Sequence, residues 1–118
     1  MSEIKQYDII ILGAGPAGST ATIALKNSNL KVAVLEKETF PRDKICGDAV
    51  SSVVKRVLRQ IDPEFEKKLD VFEEKVYIEK AKLYSPKFES LEIAFSKKGH
   101  CIKRIVFDNW LFELAKQN

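Results

Sequence analysis

Tyr7-Asp8-Ile9-Ile10-Ile11-Leu12-Gly13-Ala14-Gly15-Pro16-Ala17-Gly18 is the stretch whose reading decides the fold. Its first half is a short, almost wholly apolar run that stops at a glycine. Length and β-branching predict a strand buried on both faces, as in a parallel sheet. Beyond the three glycines, Ala17, Ala21, Ala24 and Leu25 recur at helical spacing. Pro16 is compatible with a first helical turn, where its missing N–H would have no intrahelical acceptor anyway. Ser28-Asn29 breaks that pattern, and Asn29 suits a left-handed position after the helix. Lys31-Val32-Ala33-Val34-Leu35 then reads as a second strand with Glu36 at its end. Strand, glycine turn, helix and strand in this order make a βαβ unit.

The glycine spacing, Gly13-x-Gly15-x-x-Gly18, carries chemistry in that setting. The first glycine permits a tight turn, the second lets backbone approach a pyrophosphate, and the third lets helix and strand pack closely. The helix start offers free N–H groups and partial positive charge to phosphates. Glu36, at the tip of the second strand, can accept the hydroxyl protons of an adenosine ribose and would repel a 2′-phosphate. A lone G-x-G-x-x-G is weak evidence. Here strand, helix, second strand and terminal acid all fall where an adenine-dinucleotide site needs them, although the fingerprint does not separate FAD from NAD.

From Lys37 to Asp48 the chain reads as loop. Val50, Val53, Val54, Val57, Leu58 and Ile61 then fall at helical intervals, with Lys55, Arg56 and Arg59 on the other face. This predicts an amphipathic surface helix whose valine face is core rather than a membrane anchor. Asp62-Pro63-Glu64 predicts a new helix start, with Asp62 as N-cap and an end near Leu69. Residues 75–84 and 90–95 predict two antiparallel strands in a sheet separate from the parallel one. Lys97-Lys98-Gly99 predicts a turn, and residues 100–103 a brief third strand. Phe107, Leu111, Leu114 and Ala115 line one face of a terminal helix.

Composition narrows the function classes. Of 118 residues, 45% are hydrophobic and 31% charged, so a globular chain with one small core is expected. A net charge of +3, spread along the chain, gives no case for nucleic acid. No leader is evident and no apolar run reaches membrane-spanning length, which predicts a cytoplasmic protein without a transmembrane segment. Cys46 and Cys101 have no metal-ligand spacing, and His100 is the single histidine, so no metal site is expected.

Two further motifs separate flavin from nicotinamide. Pro41-Arg42-Asp43-Lys44-Ile45-Cys46-Gly47 resembles the P-R-x-K-x-C-G loop of geranylgeranyl reductase-type flavoproteins, in the p-hydroxybenzoate hydroxylase-like superfamily. Arg104-x-x-Phe107-Asp108-x-x-Leu111-x-x-x-Ala115 is similar to a helix that members carry after their first substrate-domain strands. With the glycine loop, these motifs stand in family order across nearly the whole chain. Thr22 and Asn29 depart from the commoner alanine and glycine, and both fit sterically.

The resemblance implies FAD as cofactor and Gly13, Gly15, Pro16, Ala17, Gly18, Glu36, Lys37, Arg42, Cys46, Gly47 and Arg104 as its binding residues. It implies Cys46 and Gly47 near the isoalloxazine, with Cys46 the one catalytic candidate, and Arg104 beside the cofactor, oriented by Asp108 one turn on. The duller alternatives stay open: Cys46 as a small apolar filler, Arg42 and Lys44 as solvated charges. Cys101 and His100 read as structural or surface residues, and Trp110 and Phe112 as helix packing. The dithiol mechanism of glutathione reductase-type flavoproteins, which carry C-x-x-x-x-C shortly after the second strand, is excluded, because the residue five beyond Cys46 is Ser51.

The resulting expectation is an α/β fold: a Rossmann-like FAD-binding βαβ unit with the start of an antiparallel substrate-domain sheet, incomplete as it stands. Residues 1–118 form the N-terminal part of an FAD/NAD(P)-binding domain, with 75–103 as the first substrate-domain strands. The implied activity is flavin-mediated reduction of isoprenoid C=C bonds on a small-molecule or lipid substrate, with peripheral membrane contact compatible. The alternatives are an aromatic monooxygenase or halogenase, or a nucleotide-binding fragment without catalysis of its own. With only two parallel strands to build on, the chain alone should be marginally stable and bind FAD poorly.

Overall fold

A computed structural model describes residues 4–117; Met1–Glu3 and Asn118, the ends of the expected 1–118 domain, lie outside the described residues. Two compact units are present, Met1–Ile45 with Arg104–Asn118, and Cys46–Lys103.

The first unit holds β1 (Ile9–Leu12), α1 (Pro16–Ala24), β2 (Val32–Leu35) and, from the C-terminal segment, α4 (Arg104–Gln117). β1 and β2 pair in parallel, Ile9 opposite Val32 and Leu12 opposite Leu35, so the βαβ unit stands as expected. Gly13 extends the ladder by donating its N–H to the Leu35 carbonyl at 2.7 Å. The α1 helix packs on both strands and on α4. Ile23, Phe107, Leu111 and Leu114 are buried in this unit. Asn29 takes positive φ, 59°, four residues beyond the Leu25 cap rather than directly at the helix end.

One expectation about β1 needs correction. It is not buried on both faces: Ile10 is 57% and Leu12 80% exposed. A parallel sheet hides both faces only when helices cover each, and α1 covers one.

The second unit holds β3 (Ala49–Val50), α2 (Ser52–Ile61), α3 (Pro63–Asp70), β4 (Val76–Tyr84) and β5 (Ser90–Cys101). Asp62 caps α3 as expected, accepting the Glu64 N–H at 3.0 Å. Leu58, Phe65 and Leu69 are its sealed core, and Val50 is buried from β3 rather than from a helix. The valine face of α2 is only partly covered, with Val53 48% exposed.

Its antiparallel sheet runs β3-β5-β4 and is separate from the parallel pair. The predicted turn at Lys97-Lys98-Gly99 does not form; β5 continues through it to Cys101 as one strand. Gly99 pairs with Ile78, and the register then jumps, with Lys80 opposite Ala94, so residues 95–98 of β5 fall outside the regular pairing with β4. The third strand is therefore β3, pairing Val50 with His100, not residues 100–103. The chain reverses between β4 and β5, as the expected pair at 75–84 and 90–95 requires; Ser85 anchors the turn and Phe88 has φ 62°. Leu83 and Leu91 face each other across this hairpin and are both exposed.

A pair of identical substitutions separates steric need from mere presence of glycine. A Cβ on Gly18 would lie 1.8 Å from the Gly13 carbonyl oxygen, whereas one on Gly47 meets nothing within 4 Å. Gly18→Ala is expected to cost about 3 kcal/mol or more, because backbone must separate from backbone. Gly47→Ala should stay within about 0.5 kcal/mol. Urea unfolding of the two variants beside the parent chain measures both.

Candidate functional site

The site is built where β1 ends and α1 begins. Gly13 has φ 96°, a conformation open to glycine at little cost, and it turns the chain sharply out of the strand. Gly18 then lets α1 cross directly against Gly13. Ser19, fully buried, ties the turn by donating from Oγ to the Ala14 carbonyl at 2.8 Å. Thr22 satisfies its hydroxyl within the helix, on the Gly18 carbonyl at 2.8 Å. With Gly15 as N-cap, no side-chain cap and no acid in the first turn, α1 begins with uncovered N–H groups at Ala17 and Gly18. Those groups and the helix dipole favour an anion there.

Glu36 closes the other side. Its Oε2 accepts the Ala14 N–H at 2.6 Å and its Oε1 the Glu38 N–H at 2.9 Å. These backbone donors, the Ala14 N–H foremost, hold the carboxyl below its usual value, with the Arg42 guanidinium adding a smaller push. A carboxylate offers about four lone-pair sites. Lone pairs not taken by backbone donors remain for incoming hydroxyl groups.

A cleft of about 840 Å³ opens between these walls, lined by Gly13, Gly15, Glu36, Lys37 and Arg42 among others. Arg42 reaches it from the loop after β2, and its guanidinium would lie 3.3 Å from a Cβ on Gly15. Phe40 stacks on Phe112 of α4 with ring centroids 4.5 Å apart, and the Arg42 guanidinium sits 4.7 Å above the Phe40 ring.

The anchor of Arg42 is Asp108, fully buried on α4. Asp108 Oδ2 accepts from Arg42 at 2.6 Å, while Arg104 clasps the same carboxylate at 2.7 and 2.8 Å. Two guanidiniums and one carboxylate thus form a single network. Arg104 is oriented by Asp108 across one helical turn, as the sequence predicts. The Arg42–Asp108 bond is absent from that reading, because 66 residues separate the partners and no local pattern links them.

The sequence-derived residues therefore divide. Gly13, Gly15, Pro16, Ala17, Gly18, Glu36, Lys37, Arg42 and Arg104 belong to the first unit, and Cys46 and Gly47, both exposed, belong to the second. Trp110 and Phe112 serve helix packing, with Trp110 5.9 Å from Phe107.

Comparison with known proteins fits this geometry. Residues 1–99 match the profile of the Thi4 family. The chain belongs to the Thi4 family. Digeranylgeranylglycerophospholipid reductase 1 of Methanococcoides burtonii is 34% identical over 115 residues, covering 93% of this chain and 26% of that protein. Conditioned medium factor receptor 1 of Dictyostelium discoideum is 49% identical over 55 residues, 47% of this chain and 11% of that protein. The structure of the flavin-dependent brominase Bmp2 superposes with a TM-score of 0.79 at 25% identity, covering 96% of this chain and 28% of that one. The reductase group that the motifs resemble is thus represented among the relatives, and the chain spans about a quarter or less of the length of these proteins.

Two measurements test the site's internal bonding. Asp108→Ala leaves two guanidiniums without their buried acceptor and should cost about 3 kcal/mol, whereas Lys80→Gln, at an exposed pair with Glu92, should change stability by at most ~0.5 kcal/mol. Glu36 has a folded pKa below its ordinary value of 4.5. Its stabilising contribution is accordingly full above that value and lost as pH falls through the lower folded pKa. Urea midpoints against pH should therefore show parent and Glu36→Gln chains converging at acid pH and diverging above it.

Proposed function

We propose that this chain is the dinucleotide-holding, N-terminal part of an FAD-dependent oxidoreductase of the geranylgeranyl reductase kind, acting on an isoprenoid or similar lipid substrate. The observation that carries the reading is the cleft itself: a helix start with uncovered N–H groups on one side, and a carboxylate pinned by two backbone donors on the other. The reductase relative, matched over 93% of the chain, supports the choice of chemistry.

Each wall has a role in this reading. Ala17 and Gly18 N–H groups hold pyrophosphate oxygens, with Gly13, Gly15 and Pro16 shaping the approach. Arg42 supplies counter-charge beside Gly15, and Lys37 adds to the field at the cleft's edge. Glu36 accepts ribose hydroxyls through its remaining lone pairs and disfavours a 2′-phosphate. Arg104 acts through Asp108, holding the carboxylate that holds Arg42, and is a positioning residue. Cys46 and Gly47 face the flavin ring, and the β4–β5 hairpin opens the substrate-domain sheet. When bound and reduced, FAD would supply a hydride to an isoprenoid double bond, and a proton drawn from solvent or an acid would complete the saturation. The protein's part is to bind and orient it.

A second reading keeps the cofactor and changes the reaction to halogenation, favoured by the likeness to the brominase across 96% of the chain.

Flavin fluorescence titration tests the cradle. The chain alone is expected to bind FAD weakly, and Glu36→Gln should weaken binding further by roughly tenfold, about 1.4 kcal/mol. Equal affinity for parent and variant would remove Glu36 from the cofactor. Mass spectrometry then decides the chemistry, using protein extended to the length of the reductase relatives and loaded with flavin. Incubated with a reductant and a geranylgeranyl phospholipid, it should add a hydrogen pair per double bond. Halogen incorporation from bromide and oxygen, without such reduction, would favour the second reading.

A further inference from the structure

The second unit contains a cleft unrelated to the glycine loop. It has a volume of about 410 Å³ and lies between α2 and the β4–β5 sheet. Its walls carry five cations, Lys55, Arg56, Arg59, Lys97 and Lys98, against one acid, Glu66. Three of the five are neutralised locally: Lys55 by Asp70 at 2.6 Å, Arg59 by Glu66 at 3.5 Å and Lys98 by Glu79 at 2.7 Å. Among the described residues, Arg56 and Lys97 have no acidic partner, and both are exposed. Two positive charges of the cleft are therefore uncompensated.

Two independent features point the same way. The α2 helix begins at Ser52, which lines the cleft with Val53; its N-cap Ser51 makes no side-chain cap bond, and no acid stands in its first turn. Its first N–H groups are thus open to an acceptor. The other feature is His100, which forms part of the wall at 2% exposure, beside Tyr77 with ring centroids 5.1 Å apart. Its Nδ1 has no hydrogen-bond partner. A buried polar atom left unmatched in a native fold is one that a bound water, an ion or a ligand group can satisfy. Desolvation, with the nearby Lys75 and Lys55, holds this imidazole below its usual pKa, so it offers a neutral ring nitrogen rather than a third charge.

We propose that this cleft binds the phosphate group of a larger phosphate ester, through Arg56, Lys97, the α2 N-terminus and His100. Phosphate suits the set, because its oxygens accept from two cations, a helix start and an imidazole N–H together. The cleft is of the size that encloses small-molecule ligands, so the phosphate is one end of its occupant. A lipid headgroup and a soluble phosphate ester share this chemistry. The site lies wholly in the second unit and does not depend on the flavin reading.

His100 is the single histidine, so its imidazole resonances report on the cleft without ambiguity. The 118-residue chain is titrated with inorganic phosphate, with glycerol 3-phosphate, and with phosphatidylcholine vesicles containing or lacking phosphatidic acid. Sodium chloride at matched ionic strength is the reference. Saturable movement of the His100 signals is expected, weakened roughly tenfold or more in the Arg56→Gln/Lys97→Gln double variant. Both residues are exposed, so the fold should survive the change. Melting gives a second readout that serves even a partly unfolded chain. A ligand bound only by the native state raises the midpoint, and phosphate should do so in the parent but not in the variant. Response to phosphatidic acid vesicles alone assigns the phosphate to a lipid, and response to the soluble probes assigns it to a free ester. Equal responses in parent and variant, or none beyond matched chloride, would overturn the proposal.

Discussion

Gly18 of α1 lies directly against the carbonyl of Gly13, the residue after β1, backbone on backbone. A side chain at position 18 would overlap that oxygen at 1.8 Å, so α1 can lie where it does only with hydrogen in that place. The consequences run outward. With α1 fixed against the strand end, its N-cap Gly15 borders the cleft, and Ser19 reaches the Ala14 carbonyl. The Ala14 N–H is then aimed at Glu36, which joins loop to second strand. One steric allowance thus sets the distance between the helix start and the carboxylate opposite.

Asp108 plays a comparable part for charge. A fully buried carboxylate would be costly without partners, and Arg42 and Arg104 together take both its oxygens. Arg104 holds Asp108 through two bonds, while Arg42 holds it through one and also borders Gly15 and the cleft. The two arginines carry the same charge yet differ in function. The one sequence-adjacent to Asp108 braces it, and the distant one is braced by it.

The second unit was the harder to read. Asp62 and Pro63 announce a helix start through side-chain chemistry that acts within a few residues, and α3 begins there. Lys97-Lys98-Gly99 carries an equally local turn signal and is overridden. Strand β5 pairs with β4 at Gly99 and with both β3 and β4 at His100 and Cys101, and the ladders just beyond the signal outweigh a propensity worth about 1 kcal/mol. The same pairing gives Val50, expected to open a helix, a place in a strand. It also buries His100, whose lone position in the sequence gives no hint of a surrounding basic cleft.

Local chemistry in the sequence determined the βαβ unit, the glycine loop, the terminal acid of β2 and the i,i+4 pairing of Arg104 with Asp108. Each rests on interactions among near neighbours or on a spacing of known geometry, and such interactions are legible in order along the chain. Tertiary structure alone decided that Arg42 reaches Asp108, that Glu36 is pinned by Ala14, that one face of β1 stays exposed and that β5 runs on through its turn signal. Those outcomes depend on which distant segments meet, and contacts across tens of residues leave no periodic trace in a single sequence. The glycine loop is therefore readable from residues 7–18, whereas the wall that completes its cleft is assembled only on folding.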